Sequence, residues 1–464
     1  MTVPAAVELT STDFVGAEIL YPGSTGYESA RRVHNGLVDR RPAVIVVCKT
    51  PQHVAEGIKA ARQHGLELSV RGGGHNVAGR AVCEGGLMLD LSSMKAAVVD
   101  PEKRTIDAGP GLNWGQFNEA TQRHGLAVTG GTVSTTGVAG LTLGGGFGWL
   151  MGKYGLATDN LISAEVVTAA GTIVTASDLE NSDLFWAIRG GGGNFGVVTS
   201  FKFRLFPVGP IITGGFRFFP IDQARAVFQL FRDMTTAISD DLSLVVALIR
   251  TPDDHVPLAG IIACHVGSED EAERDLAPLR SFGEPVVDAL IRKPYSDVNS
   301  QFDFGFPRGA LNYWKSSFMD GLSDEAIDAL VETFSVCPSP MSIMMIEDLH
   351  GQATRVPIEQ SAVPHRHQGY NLLVPSVWTD PAETERNIAW TQDTYSRLLP
   401  FLTKQRYVNY LDDDEADFVS DPVRDAYGPN FERLVDIKTI YDPDNVFHLN
   451  QNIKPRSAAG SSFR

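Results

Sequence analysis

Glycine placement constrains this chain more than any other property. Of 464 residues 45 are glycine, and they crowd into the stretch between residues 71 and 196. Within it, Val70-Arg71-Gly72-Gly73-Gly74-His75-Asn76 directly follows a strand-like run, Leu66–Val70. Successive glycines after a strand let backbone N–H groups approach an anion that a Cβ would hold off, and phosphate is the usual occupant. The P-loop pattern GxxxxGK[ST] is absent. The GxGxxG match at Gly191–Gly196 follows a helical segment and precedes a strand, the reverse of the dinucleotide fingerprint. The cradle at 71–76 is therefore a phosphate device of another kind. On residues alone His75 has two readings: a turn histidine bonded to backbone, or a ring brought to the reactive end of a dinucleotide.

The segments around the cradle alternate between strand and helix. Residues 43–49 are an apolar, β-branched run, hence a buried strand. Thr50 and Pro51 open a helix with Val54, Ile58 and Ala61 on one stripe, and Gly65 ends it. Residues 85–94 form a further strand candidate, and 105–125 read as strand, Gly-Pro-Gly turn and helix. A hairpin is expected at 164–177 with its turn at Ala170-Gly171, and a long alternating strand at 195–208. Beyond about residue 207 the glycines thin out. Strand-like runs (213–220, 242–250, 260–267, 341–351, 370–378) alternate with helical ones (223–238, 268–282, 323–335, 381–402). That pattern predicts an α+β domain with an antiparallel sheet covered by helices.

The acidic balance, a net charge of -17, argues against nucleic acid or an anionic membrane as partner, both of which need a basic footprint. The N-terminus lacks the basic and apolar regions of a signal peptide, and no window approaches a membrane span. Cys48, Cys83, Cys264 and Cys337 are scattered without metal-site spacing. They read as reduced core thiols of a cytoplasmic protein, and no metal site is expected.

Several long, ordered motifs together carry a resemblance that no single glycine pattern could. They are residues 42–76, 85–94, 129–171, 182–208, the Arg406-Tyr407-Val408-Asn409-Tyr410 segment, and 427–455. The chain resembles the FAD-linked oxidases of the vanillyl-alcohol oxidase superfamily, in the berberine-bridge-enzyme-like branch, over nearly its whole length. The resemblance implies a two-part FAD-binding domain (1–207), an α+β substrate domain (208–410) and a C-terminal segment (411–464) that returns to the cofactor.

It further implies FAD bound covalently through a ring nitrogen of His75, with Arg71, Gly72, Gly73, Gly74 and Asn76 around it. Further cofactor contacts follow by motif: Gly130, Gly131, Thr132, Thr136, Val138, Gly140, Asn194, Val197, Asn409, Asn450 and Asn452. Many relatives have a second link, from the cysteine of C-P-T-V-G-V-G-G-H-F-S-G-G-G. Aligned on its glycines, this chain has Val133 there, which predicts a single link. Val138 falls where the family's oxygen access is gated.

The expected reaction is an oxidation. A hydride leaves an alcohol, sugar, amine or secondary metabolite for FAD while a base takes a proton, and O2 becomes hydrogen peroxide. A dehydrogenase using another acceptor is the alternative. By the family's Y-x-N-Y pattern Tyr410 is favoured as base, with Tyr407 second. On an alternating strand the two would point to opposite faces, and a catalytic phenolate needs a cation such as Arg406 or Lys315. Glu347 and Glu359 are further candidates for the base. Tyr313 and Trp314 are expected near the substrate.

Overall fold

A computed structural model of the chain describes residue 9, residues 14–412 and residues 421–456. Parts of the expected C-terminal segment, 413–420 and 457–464, lie outside the described residues.

The first unit is a small mixed sheet. Strands β1 (Glu18–Leu20), β2 (Val44–Val47), β3 (Leu68–Arg71) and β4 (Leu87–Asp90) lie in the order β1-β2-β4-β3. β4 runs parallel to β2 and β3. Between β2 and β3 runs helix α1 (Pro51–His64). Thr50 caps it by accepting from the His53 N–H, Pro51 occupies its first turn, and Gly65 closes it at φ 61°. Val54, Ile58 and Ala61 bury its apolar stripe under the sheet.

The second unit is a five-stranded antiparallel sheet of β5 (Ala97–Asp100), β6 (Thr105–Ala108), β7 (Leu161–Val167), β8 (Ile173–Ser177) and β9 (Val197–Arg204), in the order β5-β6-β9-β7-β8. Helices α2 (Trp114–Gln122), α3 (Val138–Leu143) and α4 (Ser182–Ile188) pack on it around Trp114, Phe117, Phe201 and Phe203.

The third unit is a large antiparallel sheet. Its strands are β10 (Ile211–Pro220), β11 (Leu242–Arg250), β12 (Pro257–His265), β13 (Leu311–Met319), β14 (Met344–Leu349) and β15 (Gly369–Trp378). They lie in the order β10-β12-β11-β14-β15-β13, with two short strands at the β10 edge. Helices α5 (Ala224–Thr235), α6 (Glu269–Ser281), α7 (Asp324–Ser335) and α8 (Thr384–Leu398) cover one face.

The fold explains why β11 is apolar apart from Ser243 and Arg250. Leu242, Leu244, Val246 and Leu248 pack under the helices, while Val245, Ala247 and Ile249 face the first two units. A sheet covered on both faces has no polar side. The last helix, α9 (Phe431–Tyr441), returns to the second unit and joins its core through Leu434, Val435 and Ile437. Among the described residues no helix is long and apolar enough to cross a membrane.

Candidate active site

One cavity runs between the glycine-rich loops of the first two units and the face of the large sheet opposite α5–α8. It holds about 2200 Å3 of empty space, its open mouth included.

The wall on the cofactor side is built from backbone. Gly72, Gly73, Gly74, His75 and Asn76 line it, with Gly131, Thr132, Thr136, Gly140, Asn194, Val197, Asn409 and Asn450. Two of these glycines show why side chains are excluded. A Cβ on Gly73 would lie 2.5 Å from the Gly137 Cα, so the two loops touch backbone to backbone. A Cβ on Gly140, which lines the cavity, would meet nothing within 4 Å. The cradle therefore fits a group that approaches the main chain closely, as the pyrophosphate and ring system of FAD do.

Asn194 anchors this wall. Its amide nitrogen donates to the Gly191 and Gln451 carbonyls, and its oxygen accepts from the Ile453 N–H. Lys438, fully buried, donates to the Asn194 carbonyl and to Asp442, which ties α9 to the same loop. Asn76 reaches across to donate to the Asn409 carbonyl at 2.9 Å.

His75 sits in this wall with its ring stacked on His34, centroids 3.9 Å apart at 21°. The His34 N–H donates to the Gly74 carbonyl, which fixes the two segments together. Burial, and then the neighbouring His34, push the His75 pKa down to about 3, so the imidazole is neutral at physiological pH. The Thr135 hydroxyl lies 3.4 Å from Nε2. Val133 lines the cavity.

Five expected contacts are not in this wall. Arg71 turns the other way, bonding both oxygens of buried Asp90 and the Ala30 and Arg32 carbonyls; it braces the base of the loop. Gly130 is pressed against Trp114, where a Cβ would come within 2.2 Å of the indole. Val138 opens α3 with its side chain in the core of the second unit, so it does not stand beside the cavity. Asn452 lies beyond the lining segment, where the chain dives into the core at Ile453. Tyr313 neighbours Trp314 on β13 and so points to the helix face, where its hydroxyl accepts from Gln392 of α8. Trp314 faces the cavity as expected.

The two tyrosines correct the reading of residues 406–410 as a strand. Val408–Tyr410 is a single 3-10 turn, which brings both rings to one side, 4.9 Å apart and nearly perpendicular. Their hydroxyls have different surroundings. The Tyr407 oxygen accepts from the Gly146 and Phe147 N–H groups at 3.0 and 3.1 Å and from Asn409 at 2.9 Å. Its ring stacks on Phe147 at 3.9 Å. Its oxygen is occupied by three donors, and burial raises its pKa to about 12.

The Tyr410 hydroxyl instead lies 3.3 and 3.4 Å from the two oxygens of Glu347. The cations expected to support a phenolate are elsewhere. Lys315 pairs with Asp412 at 3.0 Å, and Arg406 bonds Ser317 and the Thr403 and Gln405 carbonyls. Burial and the facing carboxylate hold Tyr410 well above the ordinary tyrosine value. Glu347, 2% exposed, also accepts from Asn371 on the next strand at 2.9 Å. Burial raises its pKa from 4.5 to about 7, against the lowering effect of the Asn371 and Tyr410 hydrogen bonds. A group near 7 is poised for proton transfer at neutral pH. Glu359, the other candidate, lies in the turn Ile358–Gln360, with its carbonyl accepting from Trp186, outside the cavity.

A backbone-lined cradle for a dinucleotide beside a sheet carrying a buried acid defines a flavoprotein oxidoreductase. The FAD binding domain family matches residues 42–177, and the berberine and berberine-like family matches 406–454. The (R)-6-hydroxynicotine oxidase of Paenarthrobacter nicotinovorans is 30% identical over 464 residues, covering 96% of this chain and 98% of that one. The crystal structure of 6-hydroxy-D-nicotine oxidase from Arthrobacter nicotinovorans superposes with a TM-score of 0.86 at 27% identity, over 96% of this chain and 100% of that chain. A chitooligosaccharide oxidase shares the fold, with a TM-score of 0.82 at 23% identity, over 95% and 98% of the two chains. The chain belongs to the berberine-bridge-enzyme-like branch of the vanillyl-alcohol oxidase superfamily, and FAD is its cofactor.

Proposed function

We propose that the protein is an FAD-dependent oxidase, in which Glu347, with Tyr410 beside it, takes a proton from the substrate as a hydride leaves the adjacent carbon. The observation that carries this reading is Glu347 itself: a carboxyl held near pH 7, bonded to Tyr410, facing the cavity opposite the glycine cradle. Bound along the cradle, FAD would supply the two-electron acceptor for this oxidation, with O2 as the final acceptor and hydrogen peroxide as its product.

The chain's own residues do the rest. Glu347 receives the O–H or N–H proton through or beside the Tyr410 hydroxyl and returns it to solvent after turnover. Trp314, 6.2 Å from the Tyr410 ring centroid, closes the substrate side of that pair. Tyr407 holds the Gly146–Phe147 backbone in place. His75 would hold the flavin by one covalent bond, and Val133 offers no second one. A neutral ring with an available lone pair is what such a bond requires, and burial keeps His75 in that form. The tether prevents cofactor loss and raises the oxidising power available to the substrate half-reaction.

The test is to reduce the holoenzyme anaerobically with substrate or dithionite and then admit air. Reoxidation within seconds with peroxide formed stoichiometrically supports the oxidase. Reoxidation over many minutes, with fast turnover on an artificial dye, assigns the protein to the dehydrogenases instead.

A further inference from the structure

Family membership leaves the substrate open, since an oxidase with this fold can take a sugar, an alcohol or an amine. The sheet face opposite the cradle narrows it. From β11 come Val245 and Ala247, from β12 Ile262, from β14 Met345, from β15 Leu373 and from β13 Trp314. These positions span five adjacent strands of one sheet. Among the described residues that face the cavity from this sheet, Glu347 alone is ionisable. Its two carboxylate oxygens are already engaged with Asn371 and Tyr410. The Trp149 indole N–H, on the same side, is turned to the Thr132 carbonyl at 3.3 Å.

We infer that the substrate is an apolar ring compound bearing one N–H or O–H at the carbon to be oxidised, and not a carbohydrate. This rests on the oxidase reading of the same site. A sugar ring carries hydroxyls on nearly every carbon, and each buried against hydrocarbon loses its water without a replacement partner. An aromatic or alicyclic ring loses nothing polar on entry and stacks against Trp314 and the aliphatic wall. The one polar point is then matched by the one polar pair. The heteroatom meets Tyr410 and Glu347, and its proton passes to the carboxylate while the neighbouring C–H leaves as hydride. The substrate loses two electrons and two protons, and O2 with two electrons and two protons becomes hydrogen peroxide, one proton being exchanged through solvent.

The experiment uses the holoenzyme and two panels, followed anaerobically by bleaching of the flavin band and by its spectral perturbation. One panel holds cyclic amines and benzylic alcohols; the other holds hexoses, pentoses and short oligosaccharides. Members of the first should reduce the flavin with an apparent second-order rate constant at least ~100-fold above any sugar, the order by which pocket contacts discriminate. Met345→Gln, which puts an amide on the wall, should raise KM for those compounds more than it lowers kcat. Reduction by a sugar at a comparable rate overturns the inference, as does an apolar panel that neither reduces nor perturbs the flavin. The oxidase reading fails separately, if dithionite-reduced enzyme is not reoxidised by air.

Discussion

Replacing Glu347 by Gln keeps the size of the side chain and its capacity to bond Asn371 and Tyr410, and removes only the charge and the basicity. Loss of a general base costs ~10²–10⁴ in rate. The structure adds two consequences. With the carboxyl near 7, wild-type kcat/KM should rise with pH through about 7 as the basic form appears, and the variant should show no such limb. The second consequence concerns stability. The folded-state pKa lies above the ordinary 4.5, so the fold favours the neutral acid. That contribution is fully present below 4.5 and is lost as pH rises through about 7, a loss of ~3 kcal/mol.

Glutamine suffers no such loss. The variant should melt with the wild type at pH 4.5 and above it at pH 8. Steady-state kinetics from pH 5.5 to 9 and thermal melts at the two ends of the window read both effects. A variant within threefold of wild-type kcat/KM that keeps the limb near 7 would refute the assignment of the base. A melting difference that does not change with pH would refute the buried-acid account.

Four further outcomes follow from neighbouring residues. Tyr410→Phe removes a hydrogen bond that lowers the Glu347 pKa, so the kinetic limb should move to higher pH while the rate falls about tenfold; a limb that moves down contradicts the geometry. Tyr407→Phe strips the acceptor from three donors. It should lower stability by ~1–3 kcal/mol in a denaturant titration, with a smaller effect on the pH profile than Tyr410→Phe. His34→Ala removes the ring stacked on His75. It should reduce the fraction of protein that keeps flavin through acid precipitation, and full retention would show the stack to be dispensable. Val133→Cys places a thiol at the cavity wall, and mass spectrometry of a digest should show whether flavin can then attach at residue 133 as well as at 75.

Much of the fold was legible because its signals are local. The capped helix after β2, the Ala170-Gly171 hairpin and the alternating apolar runs of the large sheet depend on neighbours in sequence. The cradle was legible because consecutive glycines have few other uses. Tertiary choices were not. Arg71 belongs to the same motif as His75, but a buried carboxylate 19 residues on, Asp90, claims its side chain. Tyr313 and Trp314 look alike as aromatic candidates, and only the phase of β13 against the sheet separates them. Residues 406–410 carry strand-like composition, but the contacts that decide their shape, from Tyr407 to Gly146 and from Asn409 to Leu141, span more than 250 positions. Glu347 was visible as a strand acid. Its distinction from Glu359 came from register, which pairs it with Asn371 and Val245 under the Tyr410 ring.

The account rests on a flavin held in the Gly72–Asn76 cradle by one histidine. Denaturing the purified protein, digesting it and locating the flavin by absorbance and mass tests this most directly. The flavin should travel on one peptide only, the one containing His75, and His75→Ala should release all colour on precipitation. Flavin that washes away from the denatured wild type, or that sits on a cysteine peptide, would contradict the claim.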